Sequence, residues 1–428
     1  MSQPTTDSKL LNFLADPDSY AFGPHSVKHL QTHISHVFIA PPFVYKIKKP
    51  LNLEFLDFST LQKRKYYCKR ELELNRRLCD QIYLGLTSIV ERDGSFDLVD
   101  GDHDEAVEYA VKMKKLDERL LLSEIIRHST LSFDQLDRVA DCLTPFYRNQ
   151  NPSEEILKMG DPEKVRYNTE ENFRQTRPFV GKLIDNVDYE AIQYYTGQHF
   201  ERFGELFEKR KEKKKIIDGH GDLRLEHVHL TEERVCIYDC VEFNDRFRYQ
   251  DVANDLAFLA MELDAEGLVR HSHHFIHKMQ EKLEDPGLLR LIDFYKCYRA
   301  YVRAKVKSIE SEEEELDKKQ QEEAARSAQK FYSLALRYAL IGSGPVVLIF
   351  MGRVASGKST LAEVLADKLG LKRFNSDRIR KALFGLDLYE RTPDDMRDQI
   401  YSREVNARTY STLYQKMEEE LSRGQSVI

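Results

Sequence analysis

Two stretches of this 428-residue sequence carry residue types at spacings that suit phosphate chemistry. Gly352 to Ser359, GRVASGKS, fits GxxxxGK[ST] after VVLIF, which reads as an apolar strand, and before an amphipathic helix. In that setting the glycines let backbone N–H groups converge on phosphate oxygens and the following helix dipole favours an anion. Lys358 adds a point charge and Ser359 can hold Mg²⁺. Gly352, Ser356, Gly357, Lys358, Ser359 and Thr360 are therefore the candidate nucleotide-binding residues. The second stretch, HGDLRLEHVHL from His220, has the layout of a phosphotransfer loop, in which an Asp meets the acceptor hydroxyl and an Asn five residues on meets a metal ion. Asp222 takes the first role, but the fifth residue on is His227. Imidazole is a poor exchange for a carbonyl oxygen on Mg²⁺, so His227 as a ligand would favour Mn²⁺; the alternative is a hydrogen bond to backbone or to Asp255.

Asp239 follows Asp222 by 17 residues, the spacing of a base and a metal-binding Asp on a hairpin, and Glu242 lies three residues further, where it could share the metal. In FNSDRIRKALFG, 374–385, Asp377 and Arg380 would lie on one face of a helix start. The plainer alternative there is an N-capping Asp with a surface Arg.

These motifs carry two resemblances. HGDLRLEHV, with the strand that ends in Asp239, resembles the aminoglycoside phosphotransferase and choline kinase branch of the protein-kinase-like fold. The resemblance implies that Asp222 orients or deprotonates the acceptor hydroxyl and that Asp239 binds Mg²⁺ on the phosphates. It makes Lys46 of FVYK the phosphate-pairing lysine and Glu71 of KRELELNRRL its helix partner, with Asp255 structural. Lys48 shares the strand face and Glu73 is near, so periodicity alone does not choose. No glycine-rich loop precedes these strands, which leaves THISHVF, from Thr32, to cover the phosphates. GRVASGKS followed by SDRIR resembles P-loop kinases of the zeta-toxin and polynucleotide-kinase type. That implies Asp377 as base and Arg380 as acceptor clamp, with the second metal acid and the arginine-bearing lid expected past GQSVI. In this order, and with VYKIKKPLNLEFLDFSTLQKR and ENFRQTRPFVG, the sequence is similar to the bacterial family of bifunctional aminoglycoside phosphotransferase/ATP-binding proteins.

The elements that must hold these residues follow from pattern. HVFIA and FVYKIKK flank a Pro turn and read as a hairpin; residues 61–79 read as a helix; IYLGLTSIV and AVEYAVKMKKL read as strands. From about Ser132 the text is mostly helical, interrupted by the loop and strand around HGDLRLEHVHL and RVCIYDCVEF. The expected fold is helix-rich, mixed α and β. A two-lobed protein-kinase-like domain, 1–343 (small lobe about 1–115, helical lobe about 116–343), precedes an incomplete α/β P-loop domain, 344–428. The charged run 308–330 reads as a solvated helix leading to that boundary.

Composition narrows the partners. A net charge of −7 with 41% hydrophobic residues suits a small or local hydroxyl-bearing acceptor and argues against nucleic acid, apart from a local basic patch. No apolar run is long enough to span a membrane and nothing at the N-terminus reads as a signal peptide, so the expected setting is the cytoplasm. The six cysteines show no CxxC pair; Cys236 and Cys240 read as buried, reduced thiols, and HSHH at 271–274 as a solvated helix face rather than a metal site. The expectation is an ATP- and Mg²⁺-dependent phosphotransferase. The alternatives are a nucleotide-sensing pseudokinase and a polynucleotide- or nucleoside-type kinase acting through the C-terminal domain.

Overall fold

The structure, a computed structural model, describes residues 6–53, 55–128, 130–313, 316–353, 355–387 and 396–428. Two compact units divide the chain: 1–167 with 203–262 and 275–290, and 168–202 with 263–274 and 291–428.

The first unit begins with α1 (Ser8–Ala15) and strands β1 (Lys28–Gln31), β2 (Ser35–Ala40) and β3 (Phe43–Lys48). β-branched and aromatic residues around Pro41–Pro42 make β2 and β3 the expected hairpin, paired from Ser35–Lys48 to Ala40–Phe43. The short strands β4 (Asn52–Leu53) and β5 (Leu56–Asp57) lead to α2 (Leu61–Asn75), whose first turn is capped by the Thr60 hydroxyl. Strands β6 (Tyr83–Arg92), β7 (Ser95–Asp100) and β8 (Ala106–Lys114) complete an antiparallel sheet in the order β1-β2-β3-β8-β6-β7. Leu10 and Leu14 of α1 pack with Phe38, Tyr45 and Ile47 on one face, while Cys68 and Leu72 of α2 pack with Tyr83, Tyr109 and Val111 on the other. Because strand side chains alternate, Ile47 joins the first face and both Lys46 and Lys48 reach toward α2.

Helices α3 (Leu122–His128), α4 (Phe133–Arg148), α5 (Glu154–Lys158), α6 (Pro162–Thr176) and α7 (Asn186–Glu212) follow. Then come β9 (Ile216–Asp218), β10 (Val228–Leu230), β11 (Val235–Ile237) and β12 (Tyr249–Asp251), with β9 paired to β12 and β10 to β11. Two expected elements are shorter than their text. The helix over 61–79 stops at Asn75, and the strand in RVCIYDCVEF stops at Ile237, because Asp239 has a φ of 62° that no ladder accommodates. Helices α8 (Val252–Ala265), α9 (Val269–Lys282) and α10 (Leu288–Glu310) come next.

The second unit is completed by α11 (Lys318–Ile341), α12 (Lys358–Leu369), α13 (Ser376–Ala382), α14 (Arg397–Ile400) and α15 (Arg403–Ser422). Its core has Phe173 edge-on to Tyr301 at 4.7 Å, and buried Lys296 bonded to Asp264 (2.8 Å) and Ser272 (2.9 Å). In the charged run, Asp317 and Gln320 form a capping box that starts α11, and among its described residues Ser308, Ala324 and Ala328 are buried. VVLIF, expected as a strand, forms a short parallel ladder instead: Val347 and Lys372 each bridge Val427, so the pairing is limited to the residues opposite Val427 and Ile428.

Two cysteine and histidine expectations are corrected. Cys79 and Cys236 are paired as a disulfide with Cα atoms 4.9 Å apart, because the turn after α2 runs beside β11, where the Ile237 N–H donates to the Leu78 carbonyl. Cys240 remains a buried free thiol, as expected. HSHH is not a solvated face: Ser272 is fully buried on Lys296 and the three histidines are half-buried. Among the described residues, no group of three or more His, Cys, Asp or Glu could hold a metal ion, and no helix is long and apolar enough to cross a membrane.

Candidate functional site

The loop HGDLRLEHV leaves β9 and is held from behind by one carboxylate. Asp255, at the start of α8, accepts from the backbone N–H of His220 (2.8 Å) and Gly221 (2.9 Å), from the Tyr147 hydroxyl (2.8 Å) and from Gln250 Nε2 (2.9 Å). Such an approach needs glycine. A Cβ on Gly219 would sit 2.6 Å from the Asp255 carboxylate, and Gly221 has a φ of +84°. His220 donates through Nε2 to the Tyr238 carbonyl (3.0 Å) and accepts the Asp222 N–H at Nδ1 (3.3 Å), so its tautomer is set. Burial lowers its pKa to about 4 against the raising influence of Asp255.

His227 lies between the two aspartates that the sequence singles out. Its Nδ1 donates to the Asp222 carbonyl (2.8 Å) and stands 3.5 Å from the Asp222 carboxylate, while its Nε2 faces Asp239 Oδ2 at 3.5 Å. The two ring nitrogens therefore face the two aspartates, Nδ1 through a hydrogen bond and Nε2 across 3.5 Å. No bond joins His227 to Asp255; its backbone partner is Asp222.

Lys46 reaches both Glu71 (3.0 Å) and Asp239 (2.8 Å). Burial would raise the Asp239 carboxyl, but the Lys46 ammonium, then His227 and His220, override it and hold its pKa below the ordinary carboxylate range. The left-handed backbone at Asp239 is the kind of strain that persists at sites held by their surroundings; its N–H donates to the Tyr83 hydroxyl at 3.2 Å. Glu242 is brought not to the Asp239 carboxylate but to Lys48, which also bonds the second oxygen of Glu71 (2.8 Å).

Residues that pattern reading passed over complete the site. Arg224 stands 3.8 Å from the Asp222 carboxylate, 2.6 Å from Glu226 and 3.1 Å from Glu262, and the other Glu262 oxygen accepts the Leu225 N–H (2.8 Å). Its place two residues past Asp222 was the available signal. Glu262 and Tyr147 come from distant helices and carried none.

In the second unit, Gly352, Ser356 and Gly357 lie in the loop that leads into α12, whose N-cap is Gly357 with a φ of 81°, and Lys358, Ser359 and Thr360 form the first turn of that helix. Val354 lies outside the described residues. Lys358 Nζ folds back onto the Arg353 carbonyl and lies 3.5 Å from Ser356 Oγ. Val427 and Ile428 form the middle of the parallel ladder, with Leu348 N–H donating to Val427 (2.9 Å) and Phe374 N–H to Ile428 (2.7 Å). Parallel strands end on one edge, so the loop from Gly352 and the segment from Asn375 leave the same side. Asn375, not Asp377, caps α13 by accepting the Asp377 (2.8 Å) and Arg378 (3.2 Å) N–H groups, which leaves the Asp377 carboxylate to Arg380 (3.5 Å) and the Tyr401 hydroxyl (3.4 Å). Arg380 itself is buried, bonded to Asn406 (3.0 Å) and stacked 4.9 Å over Tyr401.

Uncharacterized proteins of Mycobacterium tuberculosis (strain H37Rv) and Mycobacterium bovis are each 29% identical over 406 residues, 93% of this chain and 76% of theirs. Among solved structures, the choline kinase of Cryptosporidium parvum Iowa II is 12% identical with a TM-score of 0.42, covering 73% of this chain and 88% of its own. The GDP complex of aminoglycoside 2'-phosphotransferase-IIIa is 12% identical with a TM-score of 0.43, covering 76% and 99%. Residues 347–428, which hold the glycine-rich loop, match the family model described as an AAA domain, so the chain carries a P-loop AAA domain at its C-terminal end.

Proposed function

We propose that this protein is an ATP-dependent phosphotransferase that moves the γ-phosphoryl group to a hydroxyl-bearing acceptor at the Asp222 site, with residues 344–428 acting as a second nucleotide-binding domain. The observation that carries the reading is the convergence of Lys46, Glu71, Asp239, His227 and Asp222 within hydrogen-bonding or near-contact distance of one another. Lys46 would exchange the Asp239 carboxylate for phosphate oxygens while Glu71 keeps its ammonium aimed. Asp222, on a loop clamped by Asp255, would align the acceptor hydroxyl and take its proton as the bond to phosphorus forms. Arg224 beside it would offset charge that builds on the transferred group. Asp239 and His227 would hold a divalent cation through one hard oxygen and one imidazole donor, with Ser359 serving in the P-loop, and such a cation would shield the charge of the phosphates.

The test is an acceptor screen by ATP-to-ADP conversion with the full chain. Asp222→Asn should abolish transfer, and Lys358→Ala should weaken nucleotide binding by the C-terminal domain while transfer persists. The reverse pattern would put the chemistry in residues 344–428, and no turnover with any acceptor would favour a nucleotide-sensing protein.

A further inference from the structure

Lys48 lies two residues from Lys46 on the same strand face, yet its surroundings differ in kind. Its side chain is 0% exposed, against 14% for Lys46, and its ammonium is shared between Glu71 Oε2 (2.8 Å) and Glu242, 5.0 Å from the centre of the Phe58 ring. Glu71 and Glu242 are themselves 1% and 4% exposed. The five groups make one chain of alternating charge, Asp239, Lys46, Glu71, Lys48, Glu242, that ties β3 and α2 to the segment after β11. A buried ammonium held by two carboxylates has no freedom to meet phosphate, and a buried carboxylate held by an ammonium has none to meet a metal ion.

We propose that Lys48 is a positioning lysine: it anchors the second oxygen of Glu71, so that Glu71 stays in place when Lys46 leaves Asp239 for phosphate, and Glu242 is its counter-ion rather than a metal ligand. This rests on the phosphotransferase reading of the Asp222 site. Were Glu71 held by Lys46 alone, the arrival of phosphate would loosen both members of the pair at once. With one oxygen fixed by a lysine that never leaves, only Lys46 has to move.

The experiment measures ATP-to-ADP turnover of the full chain for Lys48→Met, Glu242→Gln and the double variant Lys48→Met/Glu242→Leu, with Mg²⁺ and ATP varied separately. Lys48→Met should raise KM for ATP by about tenfold or more with a smaller fall in kcat. The double variant removes the carboxylate that the single change leaves orphaned, so it should fold even where Lys48→Met does not, and its KM should stay high because Glu71 is still unanchored. Glu242→Gln should raise KM for ATP while moving the Mg²⁺ concentration for half-activation by less than about twofold. The proposal is overturned if the double variant returns KM to the wild-type value, or if Glu242→Gln raises the Mg²⁺ requirement as steeply as Asp239→Asn does. Failure of the underlying reading has a separate signature, unchanged turnover in Lys46→Met.

Discussion

At His227 the two ring nitrogens meet different chemistry, and under the proposed function that difference predicts an effect on metal choice. Nδ1 is committed to the Asp222 carbonyl (2.8 Å), which leaves Nε2 to face Asp239. Nitrogen donors are tolerated better by Mn²⁺ than by Mg²⁺, so activity should favour Mn²⁺, and His227→Asn should shift the preference toward Mg²⁺ by several-fold in turnover ratio. An unchanged ratio would leave His227 only its bond to Asp222. A second residue-scale prediction concerns His36, bonded to His29 (3.0 Å) on the sheet face that carries α1. Burial first, then Lys49 and His29, lowers its pKa from 6.5 to about 4. The unfolded chain therefore takes up the proton first as pH falls, so stability present above about 6.5 is lost on the way down to about 4. Urea unfolding should show about 1–2 kcal/mol lost at this site between pH 7 and pH 5, absent in His36→Gln.

At the scale of the element, the loop after β9 works because glycine allows Asp255 to press against its backbone. Gly219→Ala would put a methyl group 2.6 Å from that carboxylate, disturbing the four hydrogen bonds it accepts, two of them from the loop backbone. The expected outcome is a loss of about 2 kcal/mol or more in urea unfolding and a fall in ATP turnover of about tenfold or greater. Turnover within twofold of wild type would mean that the loop is not held by Asp255. This element was legible as HGDLRLEHV and the strand after it in RVCIYDCVEF, but the point where that strand stops was not, because Asp239 adopts a left-handed backbone that no side-chain pattern announces. The hairpin of β2 and β3 was legible in full from its aromatic and β-branched residues. VVLIF read as a strand from its composition, yet its ladder depends on which residues lie opposite, and these are Val427 and Ile428, some 80 residues away.

At the scale of the whole molecule, one cross-link joins positions far apart in the sequence. The Cys79–Cys236 disulfide spans 157 residues, a loop long enough that closing it in the unfolded chain is worth about 3–5 kcal/mol in the chain-entropy view. Denatured, unreduced protein should titrate four thiols, those of Cys68, Cys142, Cys240 and Cys297, and reduction should lower the midpoint of unfolding. Cys79→Ser should lower it equally and abolish the effect of reductant; six thiols without reductant would remove the bond from the account. By itself, the sequence determined the two phosphate motifs, the helix-rich mixed class and the candidate residues, because a glycine-rich loop, an Asp on a tight turn and alternating apolar residues act through neighbours a few positions away. Only the tertiary structure decided which lysine holds Glu71 against Asp239 and which holds it against Glu242, that Cys79 meets Cys236, and that residues 168–202 pack with 291–428. Each of those depends on which buried charge or surface finds a partner far along the chain, and burial in three dimensions, not spacing in one, sets that choice.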